Sequence, residues 1–340
     1  MNPAVSIIVP NLNGRSMLEK CLDSLWRQEY KDFEVVVVDN GSVDGSLDYL
    51  KSLREARLQL VRLPENRGFA GGCNAGIRRA RGRYVATLNN DAEAEASWLG
   101  ALVAAMEQAP EIGMAASKIL FAKDRGRIDK VGHLIYLDGL NHGRGSGEVD
   151  RGQFEKVEEV LFPDGAAALY RAEMLDQIGL FDERFFAYGD DADLGLRGRL
   201  AGWGSVYVPT ARVYHLHSAT AGEFSSLKAF LIERNRIWVL LKLFPLPLLL
   251  LSPAFTMLRF FFHAYGALFS LGSSGRFATG SSRMTLALMI VKAQWSGVRQ
   301  VVPMLRSRRE IRRFARLGGG EFARLLWKHR VSVRALTLGT

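Results

Sequence analysis

The sequence predicts an α/β protein with a doubly wound, mostly parallel sheet, followed by an apolar and basic helical region. Short β-branched runs at residues 5–9 and 33–38 are typical of strands that are buried on both faces. Further strands at 58–63 and 84–88 alternate with helix-like segments, which is the order of a parallel sheet. Much later, residues 237–271 contain only two fully charged side chains in 35 positions. We therefore expect a sheet domain over residues 1–225 and a helical region over residues 226–340.

The elements follow one another along the chain. The first two strands are separated by apolar residues at helical spacing, namely Leu18, Leu22, Leu25 and Trp26. A second helical stretch ends near Arg79. Residues 110–165 are less regular, and the glycines at 139–152 predict a mobile loop. The second half then shows a helix near 171–178, an acidic stretch leading into a helix, and strands at 205–208 and 212–215.

Charge and cysteine content exclude several classes of protein. The net charge of +10 lies entirely in residues 292–340, which hold twelve Lys/Arg and two Glu, so the rest of the chain is neutral. Such a tail predicts contact with an anionic surface, either phospholipid or nucleic acid, although a solvated basic helix without a partner is the alternative. Two cysteines exclude a disulfide framework and a cysteine-rich zinc site. The N-terminus lacks a signal-peptide pattern, so we expect a cytosolic location or the cytosolic side of a membrane.

Ligands of such sheets bind beyond the carboxyl ends of the strands, so the residues that follow each strand are the candidates. The first strand leads into Pro10 and Asn13, with neither a Gly-x-Gly-x-x-Gly fingerprint nor a Gly-Lys-Ser/Thr loop, which disfavours nicotinamide and P-loop chemistry. Asp39 follows the second strand, where a carboxylate can accept a hydrogen bond from the N–H of a nucleotide base or from a ribose hydroxyl. A glycine-rich turn at 66–76 follows the third strand and suits an anion or sugar approaching a helix N-terminus.

Carboxylates and imidazoles complete the candidate site. After the fourth strand, Asn90 and Asp91 offer ligands for a hard divalent cation that also binds a diphosphate, with capping as the alternative for Asp91. Asp190 and Asp191 belong to a group of three carboxylates within four residues, a crowding that raises pKa values and suits a general base. His215 lies at a predicted strand end and is a possible ligand, with His217 as its alternative.

Six segments of the chain, in order, resemble inverting glycosyltransferases of family 2, which have the GT-A fold. The matching segments begin with residues 6–13, 38–46 and 66–76, and continue with 88–91, 190–194 and 213–215. Within that family, the chain resembles bacterial rhamnosyltransferases of cell-surface polysaccharide assembly. The resemblance implies transfer of a sugar, L-rhamnose from dTDP-rhamnose, to a lipid-linked saccharide.

The resemblance also assigns roles to residues. It implies that the nucleotide-diphosphate sugar donor is held by Pro10, Asn13, Asp39, Asn66, Gly68, Asn74 and Asn90. Asp91 and His215 would bind Mg²⁺ or Mn²⁺, although Asn89 stands where many relatives have a first aspartate. Asp191 would be the catalytic base, with Asp190 beside it. The base would deprotonate an acceptor hydroxyl, which attacks the anomeric carbon opposite the diphosphate.

Two alternatives come from other functional classes. A nucleotidyltransferase shares the sheet and the metal requirement, and it would release pyrophosphate instead of a nucleoside diphosphate. A nucleic-acid-binding protein would use the basic tail, but Phe314, Phe322 and Trp327 are spaced like one face of an amphipathic helix. We therefore expect no nucleic acid as a partner.

The apolar and basic regions together predict an anionic membrane surface as a partner. Three prolines and Arg259 interrupt the apolar stretch, which favours peripheral or re-entrant association with the cytoplasmic face of the inner membrane over a clean crossing. The alternative is a buried helical core. The three prolines are Pro245, Pro247 and Pro253.

Overall fold

One ten-stranded mixed sheet organises the first part of the chain, and the computed structural model describes residues 2–216, 226–269 and 283–338. Its strands are β1 Val5–Asn11, β2 Phe33–Asn40, β3 Leu58–Leu63, β4 Tyr84–Leu88, β5 Ala92–Ala94, β6 Ile112–Phe121, β7 Asp124–Lys130, β10 Glu158–Glu159, β11 Ala167–Arg171 and β12 Gly204–His215. The main path of the sheet runs β10-β12-β6-β11-β4-β1-β2-β3, with β5 paired to β12 and β7 paired to β6. A separate two-stranded sheet consists of β8 His133–Ile135 and β9 Asn141–Gly143.

The four predicted N-terminal strands are confirmed, and they lie in the order β3-β2-β1-β4 with parallel pairing throughout. All eight residues of β2 are buried, as its run of valines predicts. The helices of this part are α1 Arg15–Trp26, α2 Ser46–Ser52, α3 Gly68–Ile77, α4 Trp98–Glu107, α5 Ala172–Ile178 and α6 Asp190–Leu200, with a short 3₁₀ helix at Glu183–Phe185. Because α3 packs closely on the sheet, a Cβ at Gly76 would lie 2.5 Å from the Ile8 side chain.

Residues 110–165 are more regular than the sequence predicts. They contain β6, a long strand that pairs with β11, β12 and β7 inside the sheet. Its sequence is rich in small residues and lacks a β-branched run, so its stability comes from its neighbours in the sheet. The predicted loop at 139–152 contains β9, and Gly147 and Asp150 donate backbone hydrogen bonds to carbonyls of the β7 region. The two predicted strands near residue 210 are one strand, β12, with a register shift between Val208 and Arg212.

The chain divides into two compact units, with divisions at His133, His142 and Thr220. The first unit contains the large sheet. The second consists of the short segment Leu134–His142 and the C-terminal part of the chain. Its helices are α7 Ser226–Leu243, α8 Leu246–Leu268, α9 Arg283–Arg299, α10 Val301–Phe314, α11 Gly319–Lys328 and α12 Val333–Leu338.

Among the described residues, helix α8 is long and apolar enough to cross a membrane by length and composition, over Leu246–Gly266. The expectation that prolines interrupt this stretch is wrong for Pro253, because α8 continues through it. Pro245 immediately precedes the helix and Pro247 lies in its first turn, where a missing N–H costs no intrahelical hydrogen bond. The helix is therefore continuous. Whether it could span a membrane depends on which side chains its two faces carry.

Candidate active site

The candidate residues converge at one edge of the large sheet. The parallel strands β1, β2 and β4 all end there, and β11 begins there because it runs antiparallel to β4. β6 also runs antiparallel to β11, and β12 runs parallel to β6, so His215 at the end of β12 reaches the same edge. The topology thus brings together side chains that are widely separated in sequence.

Asp91 and His215 form a buried pair at this edge. The Nε2 atom of His215 lies 3.2 Å from Oδ1 of Asp91 and 3.3 Å from Nδ2 of Asn89. Its other ring nitrogen, Nδ1, lies 2.9 Å from the buried carboxylate of Asp129. Burial lowers the pKa of His215, but the hydrogen bonds to Asp129 and Asp91 outweigh burial and raise the pKa to about 9.

This pair fits a divalent cation by its chemistry and spacing. Mg²⁺ prefers ligands at 2.0–2.1 Å in octahedral geometry, so adjacent ligand atoms lie roughly 3 Å apart, close to the observed Asp91–His215 separation. A metal-bound histidine commonly has its second nitrogen oriented by a carboxylate, which is the relation that Asp129 has to His215. In place of a proton on His215, a bound cation would balance the two carboxylates. The sequence did not identify Asp129.

Asp191 lies at the start of α6, after Gly189, which has a left-handed backbone conformation. Its Oδ1 accepts a hydrogen bond from its neighbour Ala192 N at 2.8 Å, and Oδ2 accepts one from Gly165 N at 3.4 Å. Burial, followed by the repulsion of Asp164, raises the pKa of Asp191 above its ordinary value, although His133 opposes the shift. A carboxylate with a raised pKa and partial exposure is suited to accept a proton.

The three crowded carboxylates differ in their surroundings. Asp193 is fully buried and forms an ion pair with Arg197 at 2.9 Å, which indicates a structural role. Asp190 is buried, and burial and the adjacent Asp191 raise its pKa well above the ordinary value. Asp191 is the most accessible of the three, with a side chain 14% exposed. Its greater exposure therefore favours Asp191 over Asp190 as the residue that an acceptor substrate can reach.

A second cluster surrounds Asp191. His133 Nε2 lies 2.9 Å from Asp164 Oδ2 and 3.6 Å from Asp191 Oδ2, and Lys130 Nζ lies 2.7 Å from Asp164. Burial raises the pKa of Asp164, but Lys130 and His133 outweigh it and hold that pKa well below the usual range. His133, Asp164 and Asp191 are close enough to hold a metal ion, with ligand atoms within 4.8 Å of one another. The Lys130 ammonium already balances charge there. That Asp91 and His215 bind the cation stays a prediction.

The residues predicted to bind the nucleotide-sugar donor include two near the ends of β1 and β2, Asn13 and Asp39. Asn13 has a positive φ of 49° and accepts a hydrogen bond from Val43 N at 2.8 Å, while its own N–H donates to Ser42 Oγ at 3.0 Å. Asp39 is buried at the end of β2, and its Oδ1 has no hydrogen-bond partner among the residues that the structure describes. A buried acceptor of this kind fits a ligand N–H or hydroxyl.

Amide side chains hold the glycine-rich turn against β2. Asn40 Nδ2 donates to Asn66 Oδ1 at 3.2 Å and to the Gly68 carbonyl at 3.0 Å. Gly68 begins α3 with φ +73°, and a Cβ at this position would lie 2.2 Å from the Phe186 carbonyl oxygen. Only glycine combines this backbone conformation with so close a contact. Asn66 and Gly68 thus shape the turn.

Two predicted donor residues make hydrogen bonds within the protein. Both ends of the Asn74 amide bond to Phe181, and its Nδ2 also donates to Glu183, so Asn74 fixes the segment before α6. Asn90 Nδ2 donates to Asn11 Oδ1 at 2.7 Å and joins the ends of β4 and β1. Their contacts with a donor remain predictions.

The remaining candidates differ in how far the structure describes them. Pro10 is half-buried in β1, where a Cβ on Gly72 of α3 would lie 3.3 Å from its ring. His217 lies outside the described residues. Sequence reasoning missed the residues that surround the predicted pair and base, which are Asp129, Lys130, His133 and Asp164.

This edge combines a buried Asp–His pair whose chemistry fits a divalent cation, a carboxylate with a raised pKa, and a carboxylate oxygen on β2 with no hydrogen-bond partner among the described residues, all on a mostly parallel sheet. The fold is of the GT-A type, shared with a mannosyltransferase of Pyrobaculum calidifontis solved with GDP-mannose and Mn²⁺. That structure aligns with a TM-score of 0.52 at 19% identity, over 92% of this chain and 86% of that one. At this identity the likeness shows the fold alone.

The chain belongs to glycosyl transferase family 2, whose model matches residues 6–179. The match ends before Asp191 and His215, so it does not test the roles predicted for these two residues. An N-acetylglucosaminyl-diphospho-decaprenol L-rhamnosyltransferase of Mycobacterium tuberculosis is 30% identical over 276 residues, covering 70% of this chain and 87% of that protein. The O-antigen biosynthesis protein RfbC of Myxococcus xanthus is 31% identical over 227 residues, or 64% of this chain. The chain spans only 18% of RfbC and 25% of another curated relative.

Proposed function

We propose that this chain is an inverting glycosyltransferase that moves a sugar from a nucleoside-diphosphate donor to a hydroxyl group of a lipid-linked saccharide. The observation that carries the proposal is the partly exposed Asp191 carboxylate at the sheet edge that also bears Asp91 and His215. A base and a diphosphate-binding cation at one edge are the two requirements of a single displacement.

Asp191 supplies the proton acceptor. Its raised pKa makes it a stronger base than an ordinary aspartate, and the backbone N–H groups of Gly165 and Ala192 orient it. Beside it, Lys130 forms an ion pair with Asp164, and His133 Nε2 lies within hydrogen-bond distance of the same carboxylate, so the negative charge of Asp164 is partly balanced. One base is sufficient because one displacement inverts the anomeric carbon once.

Asp91 and His215 would hold Mg²⁺ or Mn²⁺. When bound, the cation stabilises the negative charge that develops on the leaving diphosphate. Asp129 would keep the His215 ring oriented, and Asn89 would lie beside the same imidazole. Asp39 would accept from the base or ribose of the nucleotide, while Asn13, Asn66 and Gly68 would maintain the loops around it.

L-Rhamnose, supplied as dTDP-rhamnose, is the donor sugar that we propose, and the acceptor is a lipid-linked saccharide. The rhamnosyl group and the lipid-linked acceptor are supported by the similarity to the mycobacterial protein, which is named N-acetylglucosaminyl-diphospho-decaprenol L-rhamnosyltransferase. The similarity to an O-antigen biosynthesis protein supports a role in cell-envelope polysaccharide synthesis. In this proposal residues 1–225 are catalytic and residues 226–340 associate with the cytoplasmic face of the inner membrane.

The test is incubation of the full chain and Mn²⁺ or Mg²⁺ with a panel of nucleotide sugars and a lipid-linked N-acetylglucosaminyl diphosphate. We expect dTDP-rhamnose to yield dTDP only when the acceptor is present, and Asp191→Asn to abolish this release. Pyrophosphate as the product would instead indicate a nucleotidyltransferase. Tight binding of duplex DNA at physiological salt, without any transfer, would indicate a nucleic-acid-binding protein.

A further inference from the structure

Helix α8 has an inverted distribution of polar and apolar side chains. Ser252, Thr256 and Arg259 follow one another at spacings of four and three, so they share one face, and Ser252 and Arg259 are buried in the second unit. On the opposite face Leu250, 71% exposed, and Phe261, 65% exposed, are accessible. Soluble proteins normally bury the apolar face of a helix and expose the polar one.

An ion cluster holds the polar face in place. Arg259 Nε lies 2.7 Å from Asp138 Oδ2, and Arg259 Nη1 lies 2.7 Å from Glu233 Oε1. Arg236 on α7 completes the cluster, 3.1 Å from Glu233 and 3.6 Å from Asp138. All four charged groups are buried, so separating them would leave charges without partners in an apolar interior.

This cluster argues against a bilayer crossing by α8. To cross, the helix would have to separate Arg259 from Asp138 and Glu233, or take α7 into the bilayer with it. Helix α7 also contains Lys228, Arg234 and Lys242, which are costly in hydrocarbon. The structure therefore keeps one face of α8 on the protein and leaves the other for a partner.

Three helices of the second unit carry large exposed apolar residues. The large apolar residues exposed on α8 and just after it are Leu246, Leu250, Leu251, Met257, Leu258, Phe261, Tyr265, Leu268 and Phe269. On α9 and α10 they are Leu288, Val291, Trp295, Val298, Val302 and Leu305. By their spacing, the exposed residues of α8 fall on one side of that helix, and an exposed apolar face of this extent marks an interaction site. We call these residues the apolar surface.

On α10, exposed basic side chains lie next to exposed apolar ones. Val302, Leu305, Arg309 and Arg312 follow one another at spacings of three, four and three, so two apolar residues and two arginines lie on one helix face, and all four are exposed. Apolar contact next to clustered positive charge is the combination that binds an anionic lipid surface. A second copy of the chain would bring arginines against arginines.

We propose that α8 lies in the plane of an anionic bilayer surface, with the apolar surface inserted among the lipids and the Asp138–Glu233–Arg236–Arg259 cluster facing away from them. This deepens the membrane association in the proposed function and rests on it. The second unit then attaches the protein to one leaflet and does not span the bilayer.

The first test is flotation of the full chain with vesicles of phosphatidylcholine alone or mixed equally with phosphatidylglycerol. We expect binding to the mixed vesicles that weakens with salt, and a loss of about tenfold or more in Leu250→Asp/Phe261→Asp. Val149→Asp/Val157→Asp is the matched control, because it places the same two charges on exposed valines of the first unit. The control should bind like the wild type.

Extraction with carbonate at alkaline pH distinguishes a helix α8 that lies in the bilayer surface from one that spans the bilayer. The protein should leave the vesicles under carbonate, whereas resistance to extraction would show that α8 spans and would overturn the proposal. Unchanged vesicle binding by Leu250→Asp/Phe261→Asp would also overturn it. The proposal would also be overturned if the wild type binds no vesicles and forms a dimer that Leu250→Asp/Phe261→Asp converts to a monomer. A second copy of the chain would then cover the apolar surface.

Catalysis distinguishes failure of this inference from failure of the proposed function. Leu250→Asp/Phe261→Asp should release nucleoside diphosphate at the wild-type rate with a water-soluble, short-chain acceptor. Transfer to that acceptor without vesicle binding by the wild type would overturn only the membrane orientation. Vesicle binding without transfer to any acceptor would overturn only the proposed function.

Discussion

Replacing Asp191 with asparagine isolates the role of the carboxylate, because the two side chains have nearly the same shape. General-base assistance contributes about 10²–10⁴ in rate, which corresponds to about 3–5 kcal/mol in the activation free energy. We expect kcat to fall by this factor, while the affinity for the donor stays within about twofold of the wild type. Steady-state kinetics and calorimetric titration of the donor measure the two quantities.

The effect of Asp191→Asn on stability follows from the direction of its pKa shift. The pKa of Asp191 is higher in the folded than in the unfolded chain, so its ionised form is disfavoured by folding at neutral pH. The neutral amide removes that penalty, and the unfolding midpoint at pH 7 should stay equal or rise. Since the base must be ionised, the acidic limb of the kcat profile should lie above the ordinary aspartate value of about 3.9.

Asp193→Asn is the matched control, since it makes the same change two residues later on α6. It weakens the buried ion pair with Arg197, so it should lower the unfolding midpoint and leave kcat per folded molecule nearly unchanged. An Asp191→Asn enzyme that retains more than about a tenth of wild-type turnover would remove Asp191 from the mechanism. Asp190 would then become the candidate base.

Three further substitutions test the rest of the site and the second unit. Asp91→Ala should raise the Mn²⁺ concentration needed for half-maximal activity by about tenfold or more, whereas the control Glu93→Ala should leave it unchanged. Full activity of the wild type in excess chelator would refute the cation assignment. Asp39→Asn should weaken nucleotide binding by about 10–100-fold in calorimetry, and an unchanged affinity would contradict its contact with the donor. Arg259→Met should lower the free energy of unfolding by about 3–5 kcal/mol in a denaturant titration, because it leaves buried carboxylates without a partner. The control Arg309→Met removes an exposed arginine and should lower it by about 0.5 kcal/mol. Equal effects of the two substitutions would refute the stabilising role of the buried cluster.

Local pattern was sufficient to predict the first four strands and the residues at their ends. The valine run of β2 and the polar residues after it are contiguous, so Asp39 could be placed at the carboxyl edge of a parallel sheet from sequence alone. Asp91 was placed in the same way after β4. The proximity of Asp91 to His215 followed from the resemblance to a family, because nothing in the sequence between them sets a distance of 3.2 Å.

The surroundings of the base could not be predicted, because they depend on strands with weak sequence signals. Asp129 and Lys130 lie on β7, an edge strand rich in charged residues, and His133 follows it. Their approach to Asp164 and Asp191 depends on how β7 pairs with β6, and neither strand has a clear period of two. The division of roles among Asp190, Asp191 and Asp193 likewise depends on burial and on Arg197, which the spacing of the carboxylates does not reveal.

The most direct test of the central claim is the anomeric configuration of the product that the full chain makes from its nucleotide-sugar donor. In the presence of Mn²⁺ and acceptor, one nucleoside diphosphate should be released for each sugar transferred. NMR of the anomeric carbon should show a configuration opposite to that of the donor, and Asp191→Asn should make neither product. A product with retained configuration, or equal transfer by Asp191→Asn, would contradict single displacement with Asp191 as the base.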